Sequence, residues 1–266
     1  MINNKQDKRL IVTIQGNDYF ANNIVALMLS EILDKGVQHS NYLDWHKKYI
    51  NLKETKDNVI NLWDSLKDIA EVLTGLNREI FDDYPAMYCK YWVYGTKHII
   101  DENHIKENIA PKGLTSANTN LYTIVNPVET TFNNCLKDAY KKETMPVIKI
   151  IDYLMYLNEY FIKRFYDENY LLKKLIDKIK ETKYEFYIIP DVKFYYELKA
   201  INGVKLSYIY QNFRIFNIFV GTDDKYVREN DKNDVGLFDY YLPIKDAIVS
   251  YKTWIEVLKC IQHILF

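Results

Sequence analysis

The segment Gly16-Asn17-Asp18-Tyr19-Phe20-Ala21-Asn22-Asn23-Ile24 follows a short apolar run, where a phosphate-binding loop would lie. Such a loop reads G-x-x-x-x-G-K-[ST]. Its backbone N–H groups surround phosphate oxygens, its lysine neutralises them and its hydroxyl holds magnesium. Here Gly16 stands as the first glycine. The second is Ala21, the lysine is Asn22, and Asn23 stands where the hydroxyl belongs. Taken alone, this window reads as a plain β-α turn. A second set of candidate residues lies far downstream: Asp191, Lys193 and Glu197, directly after the apolar run Tyr184 to Ile189 and Pro190.

The elements that would position these residues alternate between strand and helix. Arg9 to Gln15 is β-branched and apolar, a strand ending at Gly16. A helix is expected from Asn22 or Asn23 to Lys35, with Gly36 as its C-cap. A second helix is expected from Asp57 to Thr74, ended by Gly75. Residues 101–144 have weak periodicity and many turn residues, which points to an irregular lid or substrate-side insertion. Pro146 suits the first turn of a helix reaching Phe165. A helix over Glu168–Lys183, a strand over Tyr184–Ile189, a short helix over Tyr195–Ile201 and a strand over Val204–Tyr210 follow. After a charged loop, Asp223 to Asp234, come a short strand at Tyr240–Leu242 and a closing helix over Ser250–Leu265. This order predicts a single α/β domain over residues 1–266. Its core, about 9–100 and 145–266, would be a central, mainly parallel sheet covered by helices on both faces.

The stretch Tyr184-Glu-Phe-Tyr-Ile-Ile-Pro-Asp-Val-Lys-Phe-Tyr-Tyr-Glu-Leu-Lys-Ala-Ile201 resembles the strand and motif of the bacteriophage deoxynucleoside monophosphate kinases. Those carry an apolar strand, then Asp-Val-Arg-Phe or a close variant, then a Glu. Asp191, Lys193 and Glu197 fall on the Asp, Arg and Glu of that pattern. Leu66 to Leu76 resembles the family's early helix. Phe238 to Leu242 and Trp254 to Leu265 resemble its last strand and C-terminal helix. The resemblance covers about half the chain and implies a three-layer P-loop kinase-like fold, ATP and magnesium as cofactors, a deoxynucleoside monophosphate as acceptor, and a homodimer.

The departures are systematic. The family's helix R-x-L-L-Q-x-L-G-T maps onto Ile151 to Glu159, where the Arg is Ile151, the Gln is Met155 and Gly-Thr is Asn158-Glu159. At Lys193 the charge survives without the bidentate fork. Removing one preorganised electrostatic donor costs roughly 10²–10³ in rate, and several are missing together. The expectation is therefore a catalytically inactive relative, with no cofactor, repurposed to bind a protein or nucleotide partner of viral or host origin. Two alternatives stay open. One is a residual kinase in which Lys149, Lys163 or Arg164 supplies the missing charge. The other is an α/β interaction module unrelated to kinases.

Bulk properties narrow the field. A net charge of −1 and a pI near 6.5 leave no global basic field for nucleic acid. Three dispersed cysteines, Cys89, Cys135 and Cys260, fit reduced thiols in the cytoplasm rather than a disulfide framework. The five histidines lack ligand spacing, so no metal site is expected from them. The first apolar run is too short for a signal segment or a membrane span. Abundant Tyr, Lys, Ile and Asn suggest AT-rich coding, as in phages and large DNA viruses. Aromatic residues concentrate at Tyr84–Tyr94 and again at Tyr153, Tyr156, Tyr160 and Phe161. At such spacing they serve a core, stack on a base, or mark a partner surface if exposed. The lysine runs at Lys47–Lys56 and Lys137–Lys142, and the acidic pairs Asp82-Asp83 and Asp223-Asp224, read as solvated charge.

Overall fold

The computed structural model describes residues 8–16, 18–49, 56–108, 122–125, 129–165, 167, 169–192, 197, 201, 207–221, 238–244 and 249–265. It divides into two compact units. The first comprises Met1–Leu62 with Leu172–Phe266, and the second Trp63–Leu171.

The first unit is built on a parallel sheet. Its strands are β1 (Arg9–Gly16), β6 (Phe186–Ile189), β7 (Phe213–Gly221) and β8 (Tyr240–Pro243), in the order β6-β1-β7-β8. β1 pairs in parallel with β6 from Leu10↔Phe186 to Thr13↔Ile189, and with β7 from Arg9↔Phe213 to Gly16↔Val220. Ile11, Val12, Thr13 and Ile14 are buried, so β1 is covered on both faces, as a central parallel strand requires. A polar pair lies within the sheet: Thr13 Oγ1 donates to Asn217 Oδ1 at 2.6 Å, both side chains being buried.

Helices cover both faces. On one face α1 (Tyr19–Lys35) and α12 (Tyr251–Leu265) pack into a core with Val12, Ile14, Val25, Met28, Trp254 and Val257. α1 is buried along most of its length. Its one buried carboxylate, Glu31, is paired with Lys35 and Lys56. Gly36 ends it at φ 78°, its N–H donating to Ile32 O at 2.8 Å. On the other face, α10 (Tyr170–Glu181) leads into Thr182, whose carbonyl oxygen accepts from the Tyr187 hydroxyl at 2.8 Å.

The second unit carries a mixed sheet ordered β3-β2-β5-β4, from β2 (Lys90–Val93), β3 (Ile99–Asp101), β4 (Tyr122–Ile124) and β5 (Met145–Lys149). β2 and β3 form a hairpin turning at Gly95, φ 77°. β2 and β5 run antiparallel, and β4 and β5 parallel. Helices α3 (Asp64–Thr74), α4 (Arg78–Asp82), α5 (Tyr84–Cys89), α6 (Glu102–Asn108) and α7 (Glu129–Lys141) belong to this unit. So does α8 (Ile150–Tyr156), which continues as a π-helical turn, Leu157–Ile162, and then α9 (Lys163–Phe165).

Five expectations are corrected. The helix after Gly16 starts at Tyr19, because Asp18 caps it. The helix ended by Gly75 starts at Asp64, not Asp57. Val59 and Ile60 instead extend the parallel sheet beside β6, with Ile60 N–H donating to Ile188 O and Ile188 N–H to Asn58 O, both at 2.9 Å. Residues 101–144 are not irregular throughout, since α6, β4 and α7 lie within them. Pro146 lies in a strand, where Val147 and Ile148 are wholly buried, and its carbonyl oxygen accepts from Tyr94 N–H at 2.9 Å. The segment expected as a strand ending at Tyr210 overlaps a helix, α11 (Ser207–Asn212), and the strand is β7 beyond it. The loop Asp223 to Asp234, and most of the helix expected over Tyr195–Ile201, lie outside the described residues.

Candidate functional site at the carboxyl edge of the parallel sheet

In an open parallel sheet, ligands bind outside the carboxyl ends of the strands where chain order reverses. Here β1 leads by way of α1 toward the Val59 side of the sheet. β7 leads to β8 on the opposite side. The switch point therefore lies between the carboxyl ends of β1 and β7, at Gly16, Val220 and Gly221. Asp18 and the start of α1 follow this edge, and Asp191 follows the end of the adjacent strand β6.

Backbone proximity explains Gly16. A Cβ there would lie 2.4 Å from Val220 O and 2.6 Å from Asn22 Oδ1. The first is main chain and cannot yield cheaply, so the glycine serves the β1–β7 pairing. At Gly221 a Cβ would meet the far end of the Tyr241 side chain, 2.6 Å from its hydroxyl at the nearest, so the ring would have to shift.

The helix that follows is closed by its own chain. Asp18, in an extended conformation, accepts from Ala21 N–H through Oδ1 at 3.2 Å, and its carbonyl oxygen accepts from Asn22 N–H at 3.0 Å. This is an N-cap carboxylate. It places negative charge at the helix end where a phosphate-binding loop would present free N–H groups to an anion. Asn22 points inward. It is 2% exposed, its carboxamide lies against Gly16, and Oδ1 has no hydrogen-bond partner among the described residues. A lysine doing the work of a phosphate-binding loop at that position must reach outward. Ala21 is fully buried, and Asn23 is half-buried.

Asp191 is 1% exposed. Its Oδ1 accepts from Leu62 N–H at 2.6 Å, so the carboxylate ties the end of β6 to the segment that extends the sheet. Glu197 is buried in a helical position, and Lys193 lies outside the described residues. The edge thus gathers Gly16, Asn22 and Asp191, the last as a strut.

Several of the other candidates belong to the second unit. Ile151 and Asn158 are buried, Met155 is partly exposed, and Glu159 pairs with Lys163 at 2.7 Å. The Lys149 ammonium lies 5.6 Å from the Tyr91 ring centroid. Of the acidic pair, Asp82 binds Lys67 and Arg78, and Asp83 caps α5 through Ala86 N–H. From the lysine run in the first unit, Lys56 binds Asp34 at 2.6 Å and Glu31 at 3.0 Å. Among the described residues no group of three His, Cys, Asp or Glu side chains could hold a metal, and no helix is long and apolar enough to cross a membrane.

Sequence reasoning missed the cap, although the signal was present: an Asp three residues before Ala21, at the start of an apolar stripe. It also missed Val220 and Gly221, since β7 was not foreseen. Comparison with protein-family models, with curated proteins and with solved structures gives no match.

Proposed function

We propose that this chain is a relative of the deoxynucleoside monophosphate kinases, with a P-loop kinase-like fold, that does not transfer phosphate and works by binding a partner. The observation that carries the reading is the self-capped turn. Asp18 holds the Ala21 amide, and Asn22 is folded inward against Gly16.

Phosphoryl transfer asks a protein for positioned charge and little else. At this turn the cation is missing, the second glycine is a buried alanine, and a carboxylate caps the first turn of the helix. A triphosphate approaching it would meet like charge and a filled amide. The fold-level part of the reading is supported by β1 and β6 lying side by side in parallel, with α1 directly after β1 and Asp191 directly after β6.

The test is steady-state turnover of purified full chain with Mg-ATP and each deoxynucleoside monophosphate, read as ADP release. The expected result is no release above the protein-free control. ADP release that depends on one monophosphate would establish a residual kinase instead.

A further inference from the structure

A groove of about 530 Å³ opens within residues 63–171. Its walls are aromatic: Trp92 and Tyr94 from the β2–β3 hairpin, and Tyr153, Tyr156 and Phe161 from the α8 helix and its π turn. The rings are held, not loose. Trp92 Nε1 donates to Thr96 O at 2.7 Å across the hairpin turn. Its ring lies 5.0 Å from Tyr153, edge to face, and 5.3 Å from Tyr94. The π turn matters for the shape. It carries Leu157 and Phe161 to the groove beside Tyr156.

Lys97 is the one charged residue in the lining. It is exposed, forms no ion pair among the described residues, and its Cε would touch a Cβ built on Gly75 at 3.2 Å. The stem is therefore laid along the end of α3, with Nζ 3.9 Å from that same position, and the residue lines the groove there. Leu73, also in the lining, is 51% exposed and Val72 beside it is 82% exposed; with Ile69 they form an apolar flank of α3 at helical spacing.

We propose that this groove docks a protein partner, which inserts an aromatic side chain carried beside a carboxylate. This deepens the binding reading above and rests on it for the claim that the chain acts by binding. The aromatic walls suit a ring, because Trp and Tyr pockets take aromatic anchors. Lys97 sets the sign of the guest's charge and disfavours a quaternary or methylated ammonium, which such a cage would otherwise welcome. The exposed flank at Val72 and Leu73 extends past the footprint of a single small ligand, and a partner chain would cover both.

The test uses full-length protein and three blocked pentapeptides titrated by calorimetry: acetyl-Gly-Asp-Phe-Glu-Gly-amide, its Lys-Phe-Lys counterpart and its Asp-Ala-Glu counterpart, with thymidine monophosphate as the small-ligand arm. The acidic-aromatic peptide should bind saturably and the other two should not. Because Lys97 is exposed, Lys97→Glu should fold normally. It should weaken the acidic-aromatic peptide at least about tenfold and turn the preference toward Lys-Phe-Lys. Absence of saturable peptide binding, or an affinity unchanged by Lys97→Glu, would overturn the proposal. So would saturable thymidine monophosphate binding that the peptide cannot displace. The two readings fail separately: loss of peptide binding leaves the absence of phosphoryl transfer standing, whereas turnover with ATP would remove that reading whatever the groove binds.

Discussion

The carboxylate of Asp18 accepts a hydrogen bond from the Ala21 amide at 3.2 Å, the contact that closes the turn between β1 and α1. Asp18→Ala should leave that amide to solvent and destabilise the chain by about 1 kcal/mol. Asp18→Asn, which retains an acceptor, should cost only a few tenths of that order. Urea denaturation at neutral pH measures both. Equal stability of Asp18→Ala and the parent would show that the cap does not hold the turn.

Gly16→Ala should destabilise by about 1–3 kcal/mol, the range for overpacking. The added Cβ meets a main-chain oxygen, Val220 O, at 2.4 Å, so relief requires β1 and β7 to part at their ends. The midpoint of denaturation should fall without a change in its slope.

Asn22→Lys, which places a cation where a phosphate-binding loop carries its lysine, should not confer nucleotide binding. Position 22 is 2% exposed and packed against Gly16. A lysine there must bury its charge or unseat the first turn of α1, at a cost of several kcal/mol in order of magnitude. Circular dichroism melting, with Mg-ATP present and absent, reads both effects. A stable variant whose melting temperature rises with Mg-ATP would contradict the account.

Asp191→Ala should act on stability. It strands the Leu62 N–H, which the carboxylate meets at 2.6 Å in a buried setting, and the expected loss is about 1–3 kcal/mol. Leu62 amide exchange should accelerate in the variant while the β1–β7 pairing keeps its protection. Uniform acceleration would make the contact global rather than local.

Acid stability should depend on Glu31. Burial alone would raise its carboxyl, but hydrogen bonds from Lys35 and Lys56, with their charge, outweigh burial and hold it below the ordinary glutamate value. A carboxyl depressed in the folded state contributes stability above its unfolded value, about 4.3, and loses that contribution as pH falls through the folded value. Stability should thus decline as pH drops below about 4.3, and Glu31→Gln should flatten that decline. An identical acid limb in the variant would remove Glu31 from the account.

Much of the first unit is readable from local chemistry. β1 is a β-branched run ended by a glycine, α1 is a broad apolar stripe ended by Gly36, and β6, β8 and α12 are bounded by equally plain signals. What local chemistry hides is long-range pairing. Val59 and Ile60 continue into the apolar spacing of α3, and only their bridge to Ile188 makes them extended. β7 carries Arg214 and Asn217, and Asn217 is tolerated because its Oδ1 accepts from the Thr13 hydroxyl of the neighbouring strand. The site divides the same way. Gly16 is legible as a turn residue, but its need to be glycine comes from Val220, on a strand distant in sequence. The fate of Asn22 depends on that same strand end, so no motif comparison could foretell that its side chain turns inward.

The central claim is that the β1–α1 turn no longer receives a nucleotide. Isothermal titration of the full chain with Mg-ATP, alone and with each deoxynucleoside monophosphate, tests it most directly. The account predicts binding no tighter than about 1 mM, worth some 4 kcal/mol at most. Micromolar binding of Mg-ATP together with one monophosphate would contradict it.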